Sequence, residues 1–186
     1  IGQFLHSYLV AQRGEELLVI DQHAAHERVL YHKLTCTTSR LQAVQLTLPM
    51  EIEIPVSWRE RFNELQDTLQ EIGFKLEPFG DNNYIIRQLP VLQKDEIRRQ
   101  DIYDLIEELL SEEPEPGLTR REQVCRSIAC HQAIKANHML TRQEMEALLT
   151  EWSATPNYQY CPHGRPSILS FNRSELDKIF RRKGGG

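Results

Sequence analysis

Glu16-Leu17-Leu18-Val19-Ile20-Asp21-Gln22-His23-Ala24-Ala25-His26-Glu27 is the stretch on which the reading of the chain turns. Its first part is continuously apolar, the pattern of a strand buried on both faces. It runs straight into Asp21, and a helix is expected from there to about Leu34. A strand that passes directly into a helix is where α/β folds usually place their chemistry. Upstream, residues 3–10 (QFLHSYLV) read as a companion strand, with the turn between the two at Arg13-Gly14.

Downstream, Glu51-Ile52-Glu53-Ile54 alternates like an exposed strand. Ser57-x-x-Glu60 reads as a capping box. Trp58, Phe62, Leu65, Leu69 and Ile72 mark one face of the helix behind it, and Gly73 stops that helix. Two short strands follow around 74–78 and 84–87, then a helix near Asp101–Glu112. The acidic, proline-rich Glu113-Pro114-Glu115-Pro116-Gly117 is the strongest linker signal. Thr119-x-x-Glu122 opens a helix to about Asn137, and Thr141-x-x-Glu144 opens another with Met145, Leu148, Leu149 and Trp152 on its apolar side. After Cys161–Pro166 come a strand at Ser167–Phe171 and a last helix capped by Asn172-x-x-Glu175. The expected fold is mixed α/β (α+β). A strand-rich lobe with flanking helices is built from residues 1–49 and 118–186, and a smaller α/β lobe is inserted at 50–117.

At 186 residues and 40% hydrophobic, the chain suits one domain, or one with a sub-lobe, and can bury a real core. A net charge of −5 argues against a domain whose main work is gripping duplex DNA. Positive residues gather in the last third: Arg120, Arg121, Arg126, Lys135, Arg165, Arg173, Arg181, Arg182 and Lys183. Four cysteines in a chain this large point to a reducing compartment rather than a disulfide scaffold. No stretch is apolar for long enough to span a membrane, and no signal peptide is visible. The start at Ile1 and the close at Gly184-Gly185-Gly186 read as a piece of a longer protein.

Three clusters carry chemistry. In Asp21–Glu27, His23 and Glu27 stand four apart on a helix and point the same way, so an imidazole and a carboxylate can grip one ion. The same residues also fit an N-cap aspartate with a surface His–Glu pair. In Ala129–Asn137, Cys130 and His131 are both potential ligands, but adjacent helical residues diverge by about 100°, so one of them faces a site. In Cys161-Pro162-His163-Gly164-Arg165-Pro166, a thiol and an imidazole sit on a loop stiffened by proline. That pairing favours zinc, and Arg165 is placed to meet a phosphate. Ligands drawn from separate elements are more typical of a catalytic than of a structural zinc site.

Taken together and in order, Asp21-Gln22-His23-Ala24-Ala25-His26-Glu27, Ala129-Cys130-His131-Gln132-Ala133-Ile134-Lys135-Ala136-Asn137, Cys161–Pro166 and Phe180-Arg181-Arg182 resemble the signature of the MutL endonuclease domain. Lys135 stands where that pattern has arginine, and His32 where it has a second glutamate. The resemblance implies a zinc-type site of His23, Glu27, Cys130, Cys161 and His163. It makes Asp21, with Glu27 and His23, the catalytic group, and Arg165 and Lys135 the phosphate contacts. It implies a metal-dependent endonuclease that hydrolyses a phosphodiester and nicks one strand of duplex DNA, with Mn2+ for nicking and Zn2+ in a regulatory, structural or catalytic part. A bacterial homodimer on the strand-rich lobe is implied, cytoplasmic and nucleoid-associated, with 50–117 as an external regulatory lobe. The partners implied are the mismatch-recognition MutS protein, reached through the longer protein, and DNA held weakly by this part alone. No ATP-site motif is present. Gln45-Leu46-Thr47-Leu48-Pro49 resembles peptides that dock on the replication sliding clamp, with Gln45, Leu46, Leu48 and Pro49 as the contacts. The rival reading is a zinc-binding dimerisation module with little or no nuclease activity.

Overall fold

The structure, a computed structural model, describes residues 2–36, 43–90, 99–113, 115–135 and 137–181. In chain order the elements are β1 (Gly2–Phe4), β2 (Tyr8–Arg13), β3 (Glu16–Asp21), α1 (Gln22–Cys36), β4 (Ala43–Glu53), a 3-10 turn (Val56–Trp58), α2 (Arg59–Ile72), β5 (Lys75–Pro78), β6 (Asn83–Pro90), α3 (Arg99–Ser111), α4 (Arg120–Gln132), α5 (Arg142–Ala154), β7 (Ile168–Asn172) and α6 (Arg173–Ile179). The class is α+β, with helices and two antiparallel sheets. The chain divides into two compact units, Ile1–His32 with Ala133–Gly186, and Lys33–Gln132.

In the first unit the strand order is β1-β2-β3-β7. The register puts Leu9 opposite Ile20, Val10 opposite Val19, and Val19 opposite Leu169. Successive side chains leave a strand on opposite faces. One face therefore carries Leu9, Leu18 and Ile20, which are buried with Ala25 and Val29 of α1 and with Met145, Leu148 and Trp152 of α5. The other face carries Phe4, Tyr8 and Leu169, which are 58%, 40% and 57% exposed, and Leu17 and Val19, which are only half-buried. The expectation that β3 is buried on both faces is thus corrected: among the described residues, one face is covered and the other stays open.

The expected single strand over 3–10 is broken. Leu5 and His6 take φ of 50° and 48°, and the Ser7 N–H donates to Phe4 O at 3.1 Å. Two successive left-handed residues match the twist of a tight hairpin. They are normally glycine or asparagine, so this turn left no signal in the sequence. The Gly14 turn carries the expected signal, with φ +58°.

In the second unit the sheet order is β4-β6-β5. Phe62, Leu65, Leu69 and Ile72 of α2 are buried as their spacing required, and Gly73 closes α2 with φ +117°. The Ser57 capping box does not form. Trp58 occupies the N-cap of α2 without a side-chain bond, because Pro55 leads into the 3-10 turn that takes up Val56–Trp58. This unit is wider than the 50–117 read from composition. Ala43–Gln45 already pair with β6, and α4 joins the same unit, where the Arg121 guanidinium donates to Leu34 O at 3.2 Å. The Thr141–Glu144 and Asn172–Glu175 capping boxes form as expected. No helix among the described residues is long and apolar enough to cross a membrane.

Candidate metal centre

Strand β3, one face of which is buried, runs directly into the head of α1. The Asp21 N–H donates to Ser167 O at 2.9 Å, and the Asp21 carboxylate accepts the Ala24 N–H at 3.0 Å. Asp21 is therefore the N-cap of α1, one of the two roles its position allowed. Gln22 is fully buried. Its amide donates to His6 O at 2.8 Å and His138 O at 3.1 Å, and its carbonyl accepts from Gln3 Nε2 at 2.5 Å.

The next two histidines both bond the backbone of Ile134. His23 Nδ1 donates to Ile134 O at 3.0 Å, while His26 Nδ1 accepts the Ile134 N–H at 3.0 Å. A proton on His23 Nδ1 leaves Nε2 with its lone pair, and Nε2 lies 4.0 Å from Glu27 Oε1.

Glu27 is the centre of the arrangement. Its side chain is 0% exposed, and neither carboxylate oxygen has a hydrogen-bond partner among the described residues. This corrects the picture of a surface His–Glu pair. His163 Nδ1 approaches Oε1 to 3.2 Å without hydrogen-bond geometry, and Arg165 Nη2 stands 3.8 Å from Oε2. Cys161 is also fully buried, and one donor atom each from Glu27, Cys161 and His163 lies within 4.8 Å of the others. Taking an ionised carboxylate out of water costs several kcal/mol unless something compensates it. Buried polar atoms in native proteins are almost always partnered. A carboxylate oxygen, a thiol sulfur and an imidazole nitrogen form a donor set that suits zinc. The orphaned carboxylate and this donor set fit a divalent ion.

The loop that presents Cys161 and His163 is a tight reversal. Tyr160 bridges Pro166, the Cys161 N–H donates to Arg165 O at 2.8 Å, and the Gly164 N–H donates to Cys161 O at 2.9 Å. Gly164 has φ +79°, a conformation costly for any residue with a Cβ, and Pro162 presets the first corner of the turn. Arg28, the residue after Glu27, reaches across to this loop: Nε donates to Tyr160 O at 2.6 Å and Nη2 to Cys161 O at 2.8 Å. Burial pushes the Arg28 pKa down, and the anionic groups of Cys161, Tyr31 and Glu27 oppose that. Nothing in the sequence had singled Arg28 out.

Cys130 lies on α4 in the second unit and is half-buried. Its neighbour His131 is engaged within that unit, with Nε2 2.8 Å from Glu108 Oε2. All four cysteines are free thiols, and burial pushes Cys125 up to about 11. Lys135 is exposed, the Arg165 side chain is 65% exposed, and His32 is half-buried. Gln45 pairs with Gln88 in the sheet, but the pairing lapses between Gln45 and Met50. In that irregular stretch Leu46 is half-buried, Pro49 is exposed and Leu48 is 79% exposed. Arg182 of the terminal motif lies outside the described residues; Phe180 before it is 69% exposed.

The fold and this side-chain group define a class: an α+β domain whose strand-to-helix junction places a buried carboxylate beside a thiol and an imidazole on a neighbouring loop. The family model for the MutL C terminal dimerisation domain matches residues 1–140, and the chain belongs to that family. It is similar to the DNA mismatch repair protein MutL of Listeria monocytogenes serovar 1/2a, 37% identical over 98% of this chain and 31% of that protein. The MutL of Koribacter versatilis is 35% identical over 98% of the chain and 29% of that protein, and the MutL of Thermoanaerobacter pseudethanolicus 32% over 98% and 30%. The chain thus spans about a third of the length of these curated relatives.

Proposed function

We propose that this chain is the homodimerising, metal-dependent nicking endonuclease part of a bacterial mismatch-repair protein. The observation that carries the reading is Glu27, a fully buried carboxylate with no hydrogen-bond partner among the described residues, grouped with Cys161 and His163. Glu27, Cys161 and His163 would hold a zinc-type ion, with His23 Nε2 beside them; nicking would depend on manganese. When bound, a divalent ion supplies Lewis-acid charge to a phosphodiester oxygen and makes water more acidic.

The chain's own groups do the rest. Ile134 O holds the His23 ring by Nδ1, so that Nε2 faces Glu27. Asp21 spends Oδ1 on the Ala24 N–H, which leaves Oδ2 to accept a proton from the attacking water. Arg165 and Lys135 stand exposed, where a scissile or flanking phosphate would meet them. The test is manganese-dependent conversion of supercoiled plasmid to the open circle. Wild type should nick and Glu27→Gln should not; equal nicking by both would overturn the site.

Dimerisation is assigned to the sheet face of Phe4, Tyr8, Val19 and Leu169, which stays open among the described residues. Large apolar patches of this kind mark interaction surfaces. The sliding clamp is assigned to Gln45, Leu46, Leu48 and Pro49, where the lapse in strand pairing turns backbone and Leu48 outward. MutS contact, the nucleoid location and the regulatory part played by Lys33–Gln132 belong to the same reading of the longer protein. Charge divides unequally between the units. Ten Lys and Arg against nine Asp and Glu give the unit holding Glu27 a net +1, and twelve against eighteen give the other −6. The acidity that argued against DNA therefore lies outside the unit with the candidate centre. The second reading, a zinc-bearing dimerisation module without nuclease activity, is favoured by one observation: Asp21 already has a structural task as an N-cap.

A further inference from the structure

We propose that Arg28 is the positioning residue of the metal group, the tie that holds the Cys161–His163 loop at ligand distance from Glu27. The inference rests on the metal-centre reading above. The ligands come from two elements, α1 and the loop, and each has to be placed independently. On α1, Glu27 is fixed by helix geometry. The loop's internal bonds, Cys161 N–H to Arg165 O and Gly164 N–H to Cys161 O, set its shape but do not set its distance from α1.

Arg28 supplies that distance. It follows Glu27 directly, and Nε and Nη2 donate to the carbonyls of Tyr160 and Cys161 at 2.6 and 2.8 Å. A guanidinium is a flat, rigid fork, so two donors on successive carbonyls fix orientation as well as separation. Hydrogen bonds from a charged donor are also roughly twice as strong as neutral ones. The Cys161 carbonyl that it holds belongs to a ligand residue, and the loop then carries His163 Nδ1 to 3.2 Å from Glu27 Oε1. Arg28 contributes no ligand atom of its own. Groups that orient ligands without touching the ion typically account for roughly 10–100-fold in metal affinity.

The experiment compares wild type, Arg28→Ala and Arg28→Lys for zinc affinity by chelator competition and, after cobalt substitution, for the sulfur-to-cobalt charge-transfer band. Thermal melting of the metal-free chains runs in parallel. Arg28→Ala should lose about 10–100-fold in zinc affinity and weaken the thiolate band. Arg28→Lys, which keeps the charge but lacks the rigid planar fork, should recover part of both. The proposal is overturned if Arg28→Ala binds zinc as wild type does with an unchanged cobalt spectrum. It is equally overturned if Arg28→Lys, melting like wild type without metal, shows no loss of affinity. Absence of zinc and cobalt binding by wild type would instead overturn the metal-centre reading on which the proposal stands.

Discussion

Glu27 Oε1 lies 3.2 Å from His163 Nδ1, yet neither oxygen of the Glu27 carboxylate has a hydrogen-bond partner among the described residues. A buried carboxylate oxygen and an imidazole nitrogen this close, without hydrogen-bond geometry between them, are arranged to share a third, positively charged group. Without that group, Glu27 is a cost to the fold rather than a support.

Its replacement should therefore behave in opposite ways with and without metal. Zinc present at 100 times its dissociation constant stabilises a one-site protein by about 2.7 kcal/mol. Chelation should thus lower the melting temperature of wild type by several degrees. Glu27→Gln should melt at or above the metal-free wild type and show no response to chelator. Calorimetric melts with and without chelator check this, and a Glu27→Gln chain that is markedly less stable than metal-free wild type would count against it.

Gly164 tests the loop. Its φ of +79° is left-handed, and no atom lies within 4 Å of where a Cβ would stand. Gly164→Ala meets no clash, so the cost is backbone strain of about 1–2 kcal/mol. Zinc affinity should fall along with stability, because the strain is relieved by moving Cys161 and His163. Titration calorimetry with zinc measures this, and unchanged affinity would show the loop to be free of the site.

The open sheet face predicts an assembly defect. Leu169 is 57% exposed and stands opposite Val19. Leu169→Glu puts a charge on the open apolar face, on the edge strand β7, while leaving the buried face untouched. Light scattering should report a monomer with wild-type circular dichroism; a dimer of unchanged affinity would place the interface elsewhere.

Much of this could be read from residue order, for physical reasons that differ from place to place. Thr141, Glu144, Asn172, Glu175 and Gly73 act locally, through bonds to their own helix ends, and form as expected. His23 and Glu27 share a helix face by spacing alone, and the Cys161–His163 loop carries its own turn chemistry. What stayed hidden depends on tertiary partners or on backbone choices that residue types do not announce. Leu5 and His6 adopt left-handed φ without glycine or asparagine. Pro55 displaces the helix start expected at Ser57. The Pro/Gly-rich run at 113–117 lies inside the second unit and not at its border. Arg28 matters through two carbonyls more than 130 residues away, which no local pattern foretells.

Asp21 decides between an enzyme and a dimerisation module. Asparagine is about as good an N-cap as aspartate, so Asp21→Asn should keep the bond from Ala24 N–H and change stability by a few tenths of a kcal/mol. The most direct measurement is manganese-dependent nicking of supercoiled plasmid by wild type and Asp21→Asn, with their melting temperatures matched beforehand. The account predicts open-circle product with wild type and none with the variant. Nicking that persists undiminished in Asp21→Asn would contradict it and leave Asp21 as a helix cap alone.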